Sequence, residues 1–237
     1  MYQELSPPLA LSQVVDCFWQ AEMHAQTQLI VPDGCQDWVF ERTGHATDAF
    51  LIGSMTEAQS VQAQGSKTFL GVRFRPGALS LLTAMPMQSL TNQRCDLNDL
   101  FPFSHSLKAL FSAPELDLPA FVERLSIELL NNVSRLTPDN HRRLTYFAQA
   151  TEGNIQQLAD HLHISRRHFH RLFTHAFGYS PRFYGKVQRF NRLNERLQQG
   201  NALLEATLEA GYYDQAHMNR DVKQLTGLTP RDWLNLT

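Results

Sequence analysis

The chain is expected to be an α+β protein: a β-rich N-terminal half, a helical linker, and an all-α C-terminal domain. Three observations lead there. Short runs rich in β-branched and aromatic residues recur before residue 75. Helical periodicity takes over after residue 118. One helical unit is then used twice: Gly178-Tyr179-Ser180-Pro181-Arg182-Phe183-Tyr184 returns 49 residues later as Gly227-Leu228-Thr229-Pro230-Arg231-Asp232-Trp233. The residues ahead of each copy match too, Ser165 with Asp214, Phe169 with Met218, Arg171 with Arg220 and Phe173 with Val222.

In chain order, strands are expected over Cys17 to Met23, Leu29 to Val31, Asp37 to Glu41, Phe50 to Gly53, Ser60 to Gln64 and Thr68 to Phe74. Pro32-Asp33-Gly34 and Pro76-Gly77 are turn signals between them. Ala78 to Ala84, Leu97 to Phe101 and Leu107 to Phe111 suggest short helices. Pro119 to Val133 reads as a full helix, with Phe121, Leu125, Leu129 and Val133 at a spacing of four. Such a helix either covers the sheet or pairs with a second copy of itself. Thr137-Pro138 marks the expected boundary. The domains are therefore 1–104, a sensor or dimerisation sheet domain; 105–137, a helical linker; and 138–237, the helical domain.

Within the last domain, Ile155, Leu158, Ala159 and Leu162 recur at helical spacing. His163 and Ile164 make a tight connection. Ser165 suits an N-cap, and Gly178 supplies the positive-φ stop that a helix end favours. Between them Phe169, Leu172, Phe173 and Ala176 share one face, and Arg167, His170, Arg171 and Thr174 the other. Two short helices, a tight turn and a polar outer face make a helix-turn-helix, spanning about residues 154–176. A second unit covers 203–225, with Gly211-Tyr212-Tyr213 as its turn and Asp214 as its cap. Met218, Val222 and Leu225 point inward there; Gln215, Asn219, Arg220 and Lys223 point outward. Asp221 falls on an inward position and requires a partner. A long helix joins the units, capped by Ser180, opened by Pro181 and closed by Gly200. About 18 residues at 1.5 Å each give a strut of roughly 27 Å. Successive major-groove turns lie about 34 Å apart, so one monomer would read two groove segments of DNA.

Charge agrees with the placement. Residues 138–237 hold 13 Lys and Arg against 9 Asp and Glu, a net +4, and residues 1–137 hold 8 against 14, a net −6, which together give the chain's −2. Only the C-terminal region is suited to neutralise phosphates. The three cysteines, Cys17, Cys35 and Cys95, are scattered and odd in number, so no disulfide framework is implied. No apolar segment long enough to span a membrane and no signal peptide are seen, and a cytoplasmic location is expected. No metal-ligand spacing and no cofactor motif occur. His161, His163, His168, His170 and His175 are scattered around different helix faces.

The stretch from about Asn154 to Leu234 resembles the DNA-binding domain of AraC/XylS-family transcription regulators. The resemblance is carried by Leu158-Ala159, Ser165, Phe169, Arg171-Leu172-Phe173, Gly178, Ser180-Pro181, Gly211-Tyr212, Asp214-Gln215, His217, Arg220, Lys223, Thr226-Gly227 and Thr229-Pro230. It implies base contacts from Arg167, His170, Arg171, Gln215, Ala216, His217, Asn219 and Arg220. Arg166, Arg182, Lys186 and Lys223 are expected at the DNA backbone or on the solvated surface. The chain departs from the family at Ala206-Thr207 and at Asp221. Expected partners are an operator in double-stranded DNA, a small-molecule effector, a second copy of the chain and, by the resemblance, RNA polymerase.

Pro32-Asp33-Gly34-Cys35-Gln36-Asp37-Trp38 and Gly71-Val72-Arg73-Phe74-Arg75-Pro76-Gly77 resemble motifs of a poorly characterised domain fused to AraC-type DNA-binding regions. Trp19, Trp38, Phe40, Arg73, Phe74 and Arg75 are a candidate effector pocket for an aromatic or anionic molecule. The alternative is that the aromatics are core and the arginines pair with Asp33 and Asp37. Two alternative functions are a DNA-binding regulator without a ligand and a DNA alkylation-response enzyme fused to such a reader. The enzyme needs a cysteine in a Pro-Cys-basic setting, which none of the three has, and no Gly-x-Ser-x-Gly elbow appears.

Overall fold

A computed structural model describes residues 2–24, 27–43, 46–63, 65–83, 85–97, 116–152 and 164–235. The helices expected at Leu97 to Phe101 and Leu107 to Phe111, apart from Leu97 itself, and the first helix of the first unit, with His161 and His163, lie outside the described residues.

The N-terminal domain is an antiparallel sheet. Its strands are β1 (Tyr2–Leu5), β2 (Val15–His24), β3 (Thr27–Ile30), β4 (Gln36–Thr43), β5 (Ala46–Ile52), β6 (Gln59–Gln62), β7 (Ser66–Phe74) and β8 (Arg94–Asp96). Six of them form one sheet in the order β1-β2-β7-β4-β5-β8, and β3 pairs with β6. The period of two sorts the side chains. Phe18, Trp38, Phe40, Leu51, Leu70, Val72 and Phe74 face one way and build the main core. Met23, Val39, Phe50 and Phe69 face the other, beneath Val61 of β6.

The helices complete the core. Helix α1 (Ala78–Thr83) follows β7 as expected. Helix α2 (Leu118–Val133) is capped by Asp117, whose side chain accepts from the Ala120 N–H. Its Phe121, Leu125 and Leu129 are fully buried over the sheet, and the Phe121 ring meets Phe40 edge-on at 5.5 Å. Covering the sheet is thus what its apolar stripe does. Helix α3 (Pro138–Glu152) then begins where only a boundary was expected. The Thr137 hydroxyl accepts from the Asn140 N–H and Pro138 opens the first turn, so this pair starts a helix. Leu144 of α3 is buried in the sheet domain's core.

The remaining helices are α4 (Arg166–Phe177), α5 (Pro181–Gln198), α6 (Leu203–Glu209), α7 (Gln215–Thr226) and α8 (Pro230–Leu234). Val187, Phe190 and Leu193 of α5 are buried with Ala206, Met218, Val222, Leu225 and Trp233 in the core of the second unit. Leu29 and Val31 of the sheet domain pack against that same cluster. Phe173, Ala176 and Phe177 of α4 form a separate cluster with Tyr179 and Tyr184, against which Phe147 of α3 packs.

Candidate nucleic-acid interface

The second helices of the two repeated units, α4 and α7, are built alike. Ser165 accepts from the His168 N–H to start α4, and Asp214 accepts from the His217 N–H to start α7. Each cap satisfies one of the first-turn donors that a helix leaves without a partner. Each helix ends on a left-handed glycine, Gly178 at φ 81° and Gly227 at φ 75°. A Ser/Thr-Pro pair then opens the next helix, with Ser180 capping α5 and Thr229 capping α8.

The outward faces match the expectation in placement. Arg166, Arg167, His170 and Arg171 are exposed on α4, and Arg182 at the start of α5. Gln215, Ala216, Asn219, Arg220 and Lys223 are exposed on α7. Arg167, His170 and Arg171 stand at the same helical positions as Ala216, Asn219 and Arg220. Their opposite faces are buried, on Phe173, Ala176 and Phe177 and on Met218, Val222 and Leu225.

Two expected contacts are placed differently. Lys186 sits on α5 with its Nζ 3.2 Å from Asp221 and donating to Gln224. Its charge is thus engaged inside the domain, beside a buried carboxylate. His217 is half-buried, with Nε2 3.7 Å from Asp221 and its ring edge-on to Tyr212 at 5.2 Å.

Among the described residues Asp221 has two cations and one imidazole beside it. Besides Lys186 and His217, Arg189 donates to Oδ2 at 2.9 Å. A carboxylate with only 4% of its surface exposed is tolerable because these donors surround it. Lys186 and Arg189 belong to α5, so the ion cluster fixes the second reading helix to the strut. At the other departure, buried Thr207 donates its hydroxyl back to Leu203 O at 2.6 Å. That local bond lets a hydroxyl replace an apolar group in a helix core.

The six residues of the candidate effector pocket do not line one mouth. Trp38, Phe40 and Phe74 are at most 2% exposed and lie on the helix-covered face of the sheet. Trp19 and Arg73 lie on the opposite face, as period two requires, and Arg75 follows β7 in the loop before α1. Arg73 pairs with Asp33 at 3.3 Å, Asp37 at 3.6 Å and Glu4 at 3.5 Å. Trp19 donates to Asp37 at 2.8 Å and lies across Gly71, where a Cβ would be 2.2 Å from the indole. Burial raises the Asp37 pKa from 3.8 to about 6 against the pull of Arg73. Burial, reinforced by Asp33, likewise pushes the Cys35 thiol well up despite Arg73, and burial raises Cys17 to about 12. Both are therefore thiols rather than reactive thiolates.

A cleft of about 470 Å³ opens elsewhere, between α1, α3 and α4. Leu81, Arg143, Tyr146, Phe147, Phe169 and Leu172 contribute to its wall. Among the described residues no group of three His, Cys, Asp or Glu side chains is gathered as a metal site. Nor is any described helix long and apolar enough to cross a membrane.

Comparison with known proteins agrees with this geometry. Residues 158–235 match the family described as a helix-turn-helix domain, and residues 3–96 match a domain of unknown function, DUF6597. The bifunctional transcriptional activator/DNA repair enzyme Ada of Escherichia coli is 31% identical over 85 residues, covering 36% of this chain and 24% of that protein. The regulatory protein ada of Salmonella typhimurium is 31% identical over 110 residues, 42% of this chain and 31% of its own length. The HTH-type transcriptional regulator ArgR of Pseudomonas aeruginosa is 27% identical over 117 residues, 46% of this chain and 34% of that one. The chain thus spans about a quarter to a third of the length of these curated relatives. Among solved structures, ToxT from Vibrio cholerae O395 aligns with a TM-score of 0.46 at 9% identity, over 92% of this chain and 97% of that one. The C-terminal region of this chain is a helix-turn-helix domain of the AraC type, preceded by a DUF6597 domain.

Proposed function

We propose that this chain is a transcription regulator that reads double-stranded operator DNA with α4 and α7 together. The observation that carries the reading is the repeated exposed face, with Arg167, His170 and Arg171 on one helix and Ala216, Asn219 and Arg220 on the other. Gln215 and the exposed edge of His217 complete the base-reading set. Arg166, Arg182 and Lys223 take phosphates, and Lys186 is withdrawn from that group. Selection of bound sequences from a random DNA pool by the full-length protein tests this. Two sequence blocks about one helical turn apart are expected. A single block would leave only one helix reading, and recovery of no motif would overturn the reading.

Control is proposed to come through the sheet domain, which touches both units. The cleft between α1, α3 and α4 supports a small, largely apolar effector, since about 470 Å³ is the size of a drug-like ligand site and it borders the first reading helix. A metabolite that raises the melting temperature of the wild type but not of Leu172→Trp would support this site. A homodimer is proposed through the outer face of α2, where Ile127 is 56% exposed, and equilibrium sedimentation checks it. RNA polymerase is proposed as a partner on the family resemblance alone.

A further inference from the structure

The last carbonyls of a helix have no partner within it. At the end of α4 the Thr174 carbonyl accepts from the Gly178 N–H, whereas the carbonyls of Phe177 and of the cap residue Gly178 take their donors from the sheet domain. Ser54, itself fully buried, donates its hydroxyl to Phe177 O at 2.6 Å and accepts from Gln36 Nε2 at 2.6 Å. Thr91 donates to Gly178 O at 2.7 Å. In the reverse direction Tyr179 donates to Gly34 O at 3.1 Å, and Asn191 of α5 donates to Asp33 O at 2.8 Å.

Glycines make the approach close. A Cβ on Gly34, at φ 99°, would lie 3.1 Å from the Tyr184 ring. One on Gly77 would lie 2.7 Å from Phe177 and 2.9 Å from Phe147. One on Gly178 would lie 2.8 Å from the Ser54 hydroxyl. Both motifs of the N-terminal domain, around Gly34 and Gly77, therefore end at the same place: the C-terminal end of α4. The second unit contains the control. Gly227 ends α7 with the same left-handed geometry, yet it is exposed and a Cβ there would meet nothing within 4 Å.

We infer that Ser54 and Thr91 are positioning residues for base reading, holding α4 by its C-terminal carbonyls so that its N-terminal half meets the DNA at a set angle. The inference rests on the DNA-reading function proposed above. It assigns the two N-terminal motifs to the docking of the domains. It also makes the sequence preference of the first unit depend on residues that do not approach DNA, while the second unit is independent of them.

The test is sequence selection from random DNA by the full-length protein, its Thr91→Val and Ser54→Ala variants, and Thr91→Ser, which keeps the hydroxyl. Arg171→Ala identifies the block that α4 reads. Thr91→Val and Ser54→Ala are expected to lose preference in that block, with about tenfold weaker binding to the selected site. The α7 block is expected to be unchanged, and Thr91→Ser to behave as wild type. Melting temperatures identify a variant that fails to fold, and half-buried Thr91 is then the decisive site. Equal weakening of both blocks, or no change in the α4 block, overturns the inference. Failure of the wild type to select any motif would instead overturn the DNA-reading function.

Discussion

The two reading helices carry the same caps but hang from different supports. Helix α4 is held by neutral contacts across a domain boundary: two hydroxyls on its last carbonyls, and the Phe147, Phe177 and Tyr184 rings packed within about a van der Waals contact of Gly34 and Gly77. Helix α7 is held within its own domain by a buried carboxylate and the cations of α5. A hydrogen-bonded interface can open at modest cost, because each exposed donor and acceptor regains water. A buried ion cluster cannot lose one member without leaving an uncompensated charge. The repeat thus seats one of its helices on neutral contacts and the other on an ion cluster.

The contrast can be broken most strongly at Asp221. Asp221→Asn leaves Lys186 and Arg189 facing each other without a carboxylate, and about 3 kcal/mol of stability should be lost, measured by urea denaturation. The DNA block read by α7 should be lost with it and the α4 block kept; loss of both blocks would mean the two units are not separately supported.

Next in size are the arginines that share a helical position. Arg171→Ala and Arg220→Ala should each remove about 1–3 kcal/mol of discrimination, in different blocks of the selected site. If either weakens all sequences equally, that arginine touches phosphate and not a base. A smaller effect separates two lysines. Lys223→Ala should lower the salt slope of DNA binding by about one, and Lys186→Ala should leave it unchanged because that charge belongs to Asp221. An altered slope for Lys186→Ala would return it to the DNA backbone.

A separate effect, on stability rather than on DNA reading, lies in the sheet domain's own charge cluster. Asp37 holds its proton more tightly folded than unfolded, with a pKa raised from 3.8 to about 6. The folded state therefore binds more protons than the unfolded state between those values, and the contribution of Asp37 to stability falls as pH rises through that window. Melting temperatures of wild type and Asp37→Asn, compared from about pH 4 to 7, should show the wild type losing ground up to about pH 6 and holding level above it. A constant difference would mean that Arg73 keeps Asp37 ionised throughout.

The sequence by itself determined what is local. Ser165, Asp214 and Ser180 announced helix starts, and Gly178 and Gly200 announced ends, because caps and left-handed stops act within a few residues. Period-four apolar positions were enough to place the buried faces of α2, α4 and α7. Thr137-Pro138 carried the same Ser/Thr-Pro signal as Ser180-Pro181, and with it the start of α3 was legible. β1 and β8 were not, since Tyr2–Leu5 is four residues long and exposed along its length and Arg94–Asp96 is three residues long; an edge strand is defined by its neighbour. Only the tertiary structure decided which face of the sheet each aromatic occupies, and so dissolved the candidate mouth around Trp19, Trp38 and Arg73. It also supplied the partners of Asp221 and gave the Gly34 loop its place against Tyr179, 145 residues away. Such pairings depend on the folded path of the whole chain, and no periodicity within a few residues encodes them.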